Sequence, residues 1–144
     1  MAGQHRGTFH HIDLNVTDVA AARRVYGLVL EFLGYHVVKD TADHVEWDLP
    51  PDGLGASLGL RKADPELAAA HGHRRYAPGL HHIAWRAASR DEVDTLHALL
   101  LERGIKVLDA PAHYPQYSGD YYAVFFEDPD GIKLELVHAP GSIR

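Results

Sequence analysis

The sequence predicts an α+β fold: two tandem βαβββ modules forming a curved mixed sheet, with the helices on its outer face. Three observations carry that prediction. The stretch "TFHHIDLNV" from Thr8 returns as "GLHHIAWRA" from Gly79. Each copy is followed by one apolar stripe of helical period and then by three short strand-like runs. The turn signatures "PPDG" at 50–53 and "DPDG" at 128–131 hold equivalent places before the last strand of each half. The offset is 71 residues between His11 and His82 and 78 between Gly53 and Gly131, a difference of loop length.

The elements follow in order. Ile12, Leu14 and Val16 alternate with His11, Asp13 and Asn15, as a half-buried strand requires. Asp18 is placed to cap a helix whose stripe is Val19, Ala22, Val25, Tyr26, Val29, Leu30 and Leu33, and Gly34 closes it. "YHVVKD", "HVEWDL" and "ASLGLRK" are the next three strands. In the second half "HHIAWRA" is a strand, and Ser89 with Glu92 makes a capping box. Val93, Leu96, Leu99 and Leu100 stripe the helix that Gly104 closes. "IKVLDA", "YYAVFFED" and "IKLELVH" complete the module. The expected organisation is a single domain over 1–144, with module 1 at about 8–62, a linker at about 63–78 carrying one helical turn, and module 2 at about 79–139. "DAPAHYPQYSGDYY" reads as a Pro- and Tyr-rich covering loop.

Composition narrows the function. The 144 residues carry a formal net charge of −6 and no basic run, which speaks against nucleic acid as a partner. There is no cysteine, so thiolate metal sites, disulfides and cysteine nucleophiles are excluded. No apolar stretch reaches the length of a membrane span and no apolar signal core opens the chain, so the expectation is a cytoplasmic protein with no membrane partner. Twelve histidines stand out, and they matter only where several share a site.

Strand parity places three of the polar residues. His11 lies opposite Ile12, Leu14 and Val16; His82 lies opposite Ile83 and Trp85, on a face with Ala84 and Arg86; Glu135 lies opposite Leu134 and Leu136. All three fall on the face away from the helices. Such a face is often simply solvated in an antiparallel sheet. Two imidazoles and one carboxylate are also a donor set for a divalent metal with open positions, suited to Fe(II), Zn, Mn or Ni. His10 and His81 point the other way or fray at the strand starts.

In these residues the chain closely resembles the vicinal oxygen chelate superfamily, the glyoxalase/bleomycin resistance protein/dioxygenase group, from about Thr8 to Ala139. The resemblance rests on the order and spacing of "HIDLNVTD", "HHIAWRA" and "FFEDPDGIKLEL". It implies metal ligands at His11, His82 and Glu135, a small oxygen-chelating substrate, and a homodimer. Glyoxalase I enzymes add a glutamate in the fourth strand, where this chain has Ser57 or Gly59. True glyoxalase I activity is therefore not expected, and neither Lys62 nor Glu46 is an obvious substitute.

Further site candidates are Tyr122, one of a cluster with Tyr114, Tyr117 and Tyr121, as a hydrogen-bond donor or acid-base group, and Arg86 for an anionic substrate group. Asp13 is a candidate acceptor for an imidazole N–H. Trp47 and Trp85 are expected in the core, and His71 and His73 in solvent. Two functional readings follow. One is a divalent-metal-dependent glyoxalase/dioxygenase-like enzyme, a dioxygenase or a lyase/isomerase, in which the ion stabilises an enolate or related anion. The other is a metal-free small-molecule (drug) binding protein of the bleomycin-resistance type.

Overall fold

A computed structural model describes residues 6–50 and 55–141. The chain divides between Ala70 and His71 into two compact units. The first holds β1 (His11–Val16), α1 (Val19–Phe32), β2 (His36–Asp40), β3 (His44–Leu49), β4 (Ala56–Lys62) and α2 (Pro65–His71). The second holds β5 (His82–Arg86), α3 (Arg90–Glu102), β6 (Val107–His113), β7 (Tyr122–Glu127) and β8 (Lys133–His138). Each unit is a four-stranded mixed sheet, ordered β1-β4-β3-β2 and β5-β8-β7-β6. The outer pairs β1/β4 and β5/β8 are parallel and the remaining pairs antiparallel. This is the repeated βαβββ plan that the sequence predicts.

The repeat extends to the helix ends. Asp18 Oδ1 accepts from Ala21 N at 2.9 Å, and Ser89 Oγ accepts from Glu92 N at 3.1 Å. Glu92 Oε2 in turn accepts from Ala88 N at 2.6 Å, one residue before the usual capping-box donor. Both helices close with the paired bonds of a Schellman motif: Gly34 N to Glu31 O and Tyr35 N to Leu30 O in α1, Gly104 N to Leu101 O and Ile105 N to Leu100 O in α3. Gly34 and Gly104 have φ of +93° and +67°, a conformation that a Cβ disfavours.

Each helix covers one face of its own sheet. Under α1 lie Val45, Trp47, Leu58 and Leu60, with Trp47 fully buried. α1 passes close over Trp47: a Cβ at Gly27 would stand in ordinary contact with Trp47 Cζ2, at 3.6 Å. Under α3 lie Val124, Phe126, Leu134 and Leu136, all fully buried. Burying each such side chain contributes about 1.5–3 kcal/mol, which fixes strand register and so fixes what faces away from the helices.

Several expectations shift in detail. The linker helix runs two turns rather than one. The strand expected at "IKVLDA" continues through Ala110, Pro111 and Ala112 to His113, shortening the covering loop to Tyr114–Tyr121. Trp85 is half-buried rather than fully in the core. His73 is half-buried too, with its Nε2 shielded. Residues 51–53 of the "PPDG" turn lie outside the described residues, whereas the "DPDG" turn is set by Asp128 Oδ1, which accepts from Asp130 N and Ile132 N at 2.9 Å each.

Candidate functional site

Register in the second sheet decides which side chains meet. Leu134 and Leu136 turn to α3, so Glu135 turns to the open face, beside Ala84 of β5 and Phe125 of β7. Although it carries a carboxylate, Glu135 is only 1% exposed. A buried carboxylate is costly unless it is paired. Here Oε2 lies 3.2 Å from His82 Nε2, and the Tyr121 hydroxyl donates to Oε1. These three residues border a cavity of about 310 Å³, together with His81, Gln116, Tyr117, Phe125 and Lys133. Tyr117, Tyr121 and Phe125 make part of the lining aromatic, and Tyr114 packs on them, edge-on to Phe125 at 5.3 Å and stacked with Tyr117 at 5.8 Å. The Lys133 ammonium lies 4.3 Å from the Phe125 ring centroid. Burial, then the negative charge of Asp109, raises the Tyr114 phenol above its ordinary value, so it stays neutral.

The two histidine doublets behave alike. His81 Nδ1 and His82 Nδ1 are 2.7 Å apart, and His10 Nδ1 and His11 Nδ1 are 3.0 Å apart. His10 and His81 precede the first strand residues, so strand alternation does not bind them. They lie just outside the strands, as the fraying alternative expects, and fold towards their neighbours rather than away. Both separations are hydrogen-bond distances, in which the tautomer decides which ring donates. The tautomer with the hydrogen on His82 Nδ1 would turn the Nε2 lone pair towards Glu135, the form an imidazole needs to ligate a metal.

In the first sheet His11, Asp13 and Asn15 of β1 stand in register with Ser57, Gly59 and Arg61 of β4. These in turn pair with Asp48, Glu46 and His44 of β3. A concavity of about 520 Å³ opens on this face, with His10, His11, Asp13, Glu46 and Asp48 in its lining. The fourth strand thus offers no carboxylate beside His11. Glu46, set aside on sequence grounds, shares this face, and its side chain leans over Gly59, with Cγ 3.5 Å from where a Cβ at Gly59 would be. Asp13, His44 and Glu46 present potential ligand atoms within 4.8 Å of one another.

The expected site residues therefore sort as follows. His82 and Glu135 come together in the second unit. His11 stands on the open face of the first, beside the concavity. Tyr122 lies on the helix face of β7, in parity with Val124 and Phe126; its hydroxyl donates to Asp94 Oδ1 of α3 at 2.6 Å. That bond raises the Tyr122 phenol. The tyrosine that reaches Glu135 is Tyr121. Counting parity back from Val124 and Phe126 separates the two. Arg86 is exposed on the same face of β5 as His82 but four residues along, roughly 13 Å away. Asp13 pairs with Arg61, Oδ2 to Nε 3.6 Å.

Comparison with known proteins identifies the family. The family model of the Glyoxalase/Bleomycin resistance protein/Dioxygenase superfamily matches residues 8–136. The chain belongs to this superfamily. A relative from Bacillus subtilis (strain 168), the uncharacterized protein YqjT, is 37% identical over 129 residues, covering 89% of this chain and 96% of that one. Among solved structures, a candidate glyoxalase from Bacillus halodurans superposes with a TM-score of 0.78 at 28% identity, over 93% of this chain and 97% of that one. A glyoxalase/dioxygenase from Nostoc punctiforme gives a TM-score of 0.68 at 25% identity, over 97% and 95%. Superfamily membership accounts for the repeated βαβββ units. Among the described residues no helix is long and apolar enough to cross a membrane.

Proposed function

We propose that this superfamily member is a divalent-metal-dependent enzyme acting on a small oxygen-chelating molecule, with Glu135 and His82 as metal ligands. His11 is the third ligand expected from the repeat, and it enters on sequence grounds. The observation that carries the reading is the buried Glu135 carboxylate, flanked by the His82 imidazole and opening on a cavity. An imidazole nitrogen and a carboxylate oxygen suit Fe(II), Mn, Zn or Ni. When bound, such an ion supplies Lewis acidity to adjacent substrate oxygens and stabilises the negative charge that develops on them.

The chain's own groups do the rest. A hydrogen bond from His82 Nδ1 to His81 would hold the His82 ring with Nε2 towards the metal position. The Tyr121 hydroxyl orients Glu135 and, once that carboxylate is engaged elsewhere, turns to donate to a substrate oxygen. This gives Tyr121 the part that the sequence suggested for Tyr122. The Lys133 ammonium faces the cavity and favours an anionic substrate group; Arg86 is too far along β5 to share that contact. Tyr117 and Phe125 give the cavity an aromatic lining.

A second reading, a metal-free small-molecule binder, is favoured by the same aromatic wall, because stacked rings hold a planar ligand without any ion. Metal analysis of protein purified without chelators decides between them. The enzyme reading expects one equivalent of a transition metal at this site, the equivalent that Glu135→Gln loses. Metal-free protein that binds no added Fe(II), Mn, Zn or Ni removes it.

A further inference from the structure

We infer that the open face of the first sheet carries its own divalent-cation site, built from Asp13, His44 and Glu46 and sharing no residue with the His82–Glu135 pair. Alternation along β3 puts His44 and Glu46 on that face while Val45 and Trp47 enter the core. His44 Nε2 lies 2.7 Å from Glu46 Oε1. It is shielded from solvent yet makes no aligned hydrogen bond. A buried donor or acceptor left in that condition is unfavourable, and a cation between the nitrogen and the oxygens satisfies both.

Gly59 makes the third ligand reachable. It lies on β4 between Asp13 of β1 and Glu46 of β3. Backbones two strands apart are separated by roughly 9.6 Å, and a side chain between them normally fills that gap. A Cβ at Gly59 would sit 2.3 Å from Asp13 Oδ1. Without it, the three residues offer ligand atoms within 4.8 Å of one another. Donors around one ion at about 2.1 Å stand about 3–4 Å apart, so only side-chain adjustments of about 1 Å are needed. Arg61 Nε engages Asp13 Oδ2 at 3.6 Å and leaves Oδ1 over Gly59. Two carboxylates balance a doubly charged ion. One imidazole nitrogen with two carboxylate oxygens selects Zn, Mn, Co or Ni over Ca or Mg. Asp13 and Glu46 also line the concavity that His11 borders, so remaining coordination positions open towards it.

The test is calorimetric titration of the metal-free full chain with zinc and with manganese, comparing wild type with His44→Gln, Glu46→Gln, Gly59→Ala and Glu135→Gln. Circular dichroism shows which variants are folded. The inference expects wild type to bind one equivalent more than folded His44→Gln or Glu46→Gln, or those variants to bind that equivalent at least about 10-fold more weakly. Gly59→Ala keeps every ligand yet loses the same equivalent by obstruction, while Glu135→Gln retains it. Should His44→Gln fail to fold, Glu46→Gln and Gly59→Ala give the answer, since Glu46 is 31% exposed. Binding by Glu46→Gln and Gly59→Ala identical to wild type overturns the inference. The two metal assignments fail separately: loss only on Glu135→Gln sinks this site, and loss only on His44→Gln, Glu46→Gln and Gly59→Ala sinks the other.

Discussion

Replacing Tyr121 by Phe removes one hydroxyl and leaves the ring that packs against Tyr114 and Tyr117. The lost bond is charge-assisted, because its acceptor is the Glu135 carboxylate at 1% exposure. Hydrogen bonds to charged groups contribute about 1.5–3 kcal/mol. The carboxylate cannot recover that bond from bulk water, since it is buried. A loss of about 2 kcal/mol is therefore expected. For a chain of this length each kcal/mol moves the midpoint by about 2–4 °C, so Tyr121→Phe should melt roughly 4–8 °C below wild type. Tyr122→Phe is the control: its bond to Asp94 is exposed, and its loss should stay under about 1 kcal/mol. Urea denaturation of both variants, alone and combined with Glu135→Gln, measures the coupling. The Tyr121 effect should shrink in the Glu135→Gln background. Equal, small losses for the two tyrosines, with no coupling to Glu135, would refute the claim that Tyr121 holds the buried carboxylate.

Other outcomes follow from the same structure. With Ser57 and Gly59 in β4, the chain should turn over the methylglyoxal–glutathione hemithioacetal poorly with Ni, Zn, Mn or Fe(II); rates like those of dedicated glyoxalases would contradict this. We expect a homodimer, because each four-stranded sheet has exposed edges, and sedimentation at micromolar concentration showing only monomer would count against it. The Asp120 carboxylate accepts from Gly141 N at 2.7 Å and Ser118 Oγ at 3.0 Å, which holds it below its ordinary value of 3.8. A carboxylate lowered on folding stabilises above its unfolded pKa and loses that contribution as pH falls through the folded one. An NMR titration of Asp120 should accordingly show a midpoint below 3.8, and a midpoint at or above it would remove the clamp.

Much of the architecture was legible because its signals are periodic. The stripe from Val19 to Leu33 and its Asp18 and Gly34 ends placed α1 to within one residue, since the helix closes at Phe32 with Leu33 as its cap. Alternation at Ile12, Ile83 and Leu134 assigned His11, His82 and Glu135 to faces away from the helices. What escaped lay where periodicity stops. His10 and His81 precede their strands, so local backbone rather than alternation sets their direction, whereas Tyr121 extends the parity of β7 by one residue and that signal went unread. The His44–Glu46 pair escaped for another reason. Its partner Asp13 lies two strands away, and only the register across Gly59 brings them together. A glycine inside a strand, where close approach is the usual cause, was the available signal.

The central claim is that Glu135 and His82 hold one metal ion. Crystals of protein loaded with the metal it carries from purification, with anomalous data at that metal's absorption edge, test it directly. The account predicts a peak about 2.0–2.2 Å from both His82 Nε2 and a Glu135 carboxylate oxygen. An occupied peak lying elsewhere, out of bonding distance of both His82 Nε2 and the Glu135 carboxylate, would contradict it.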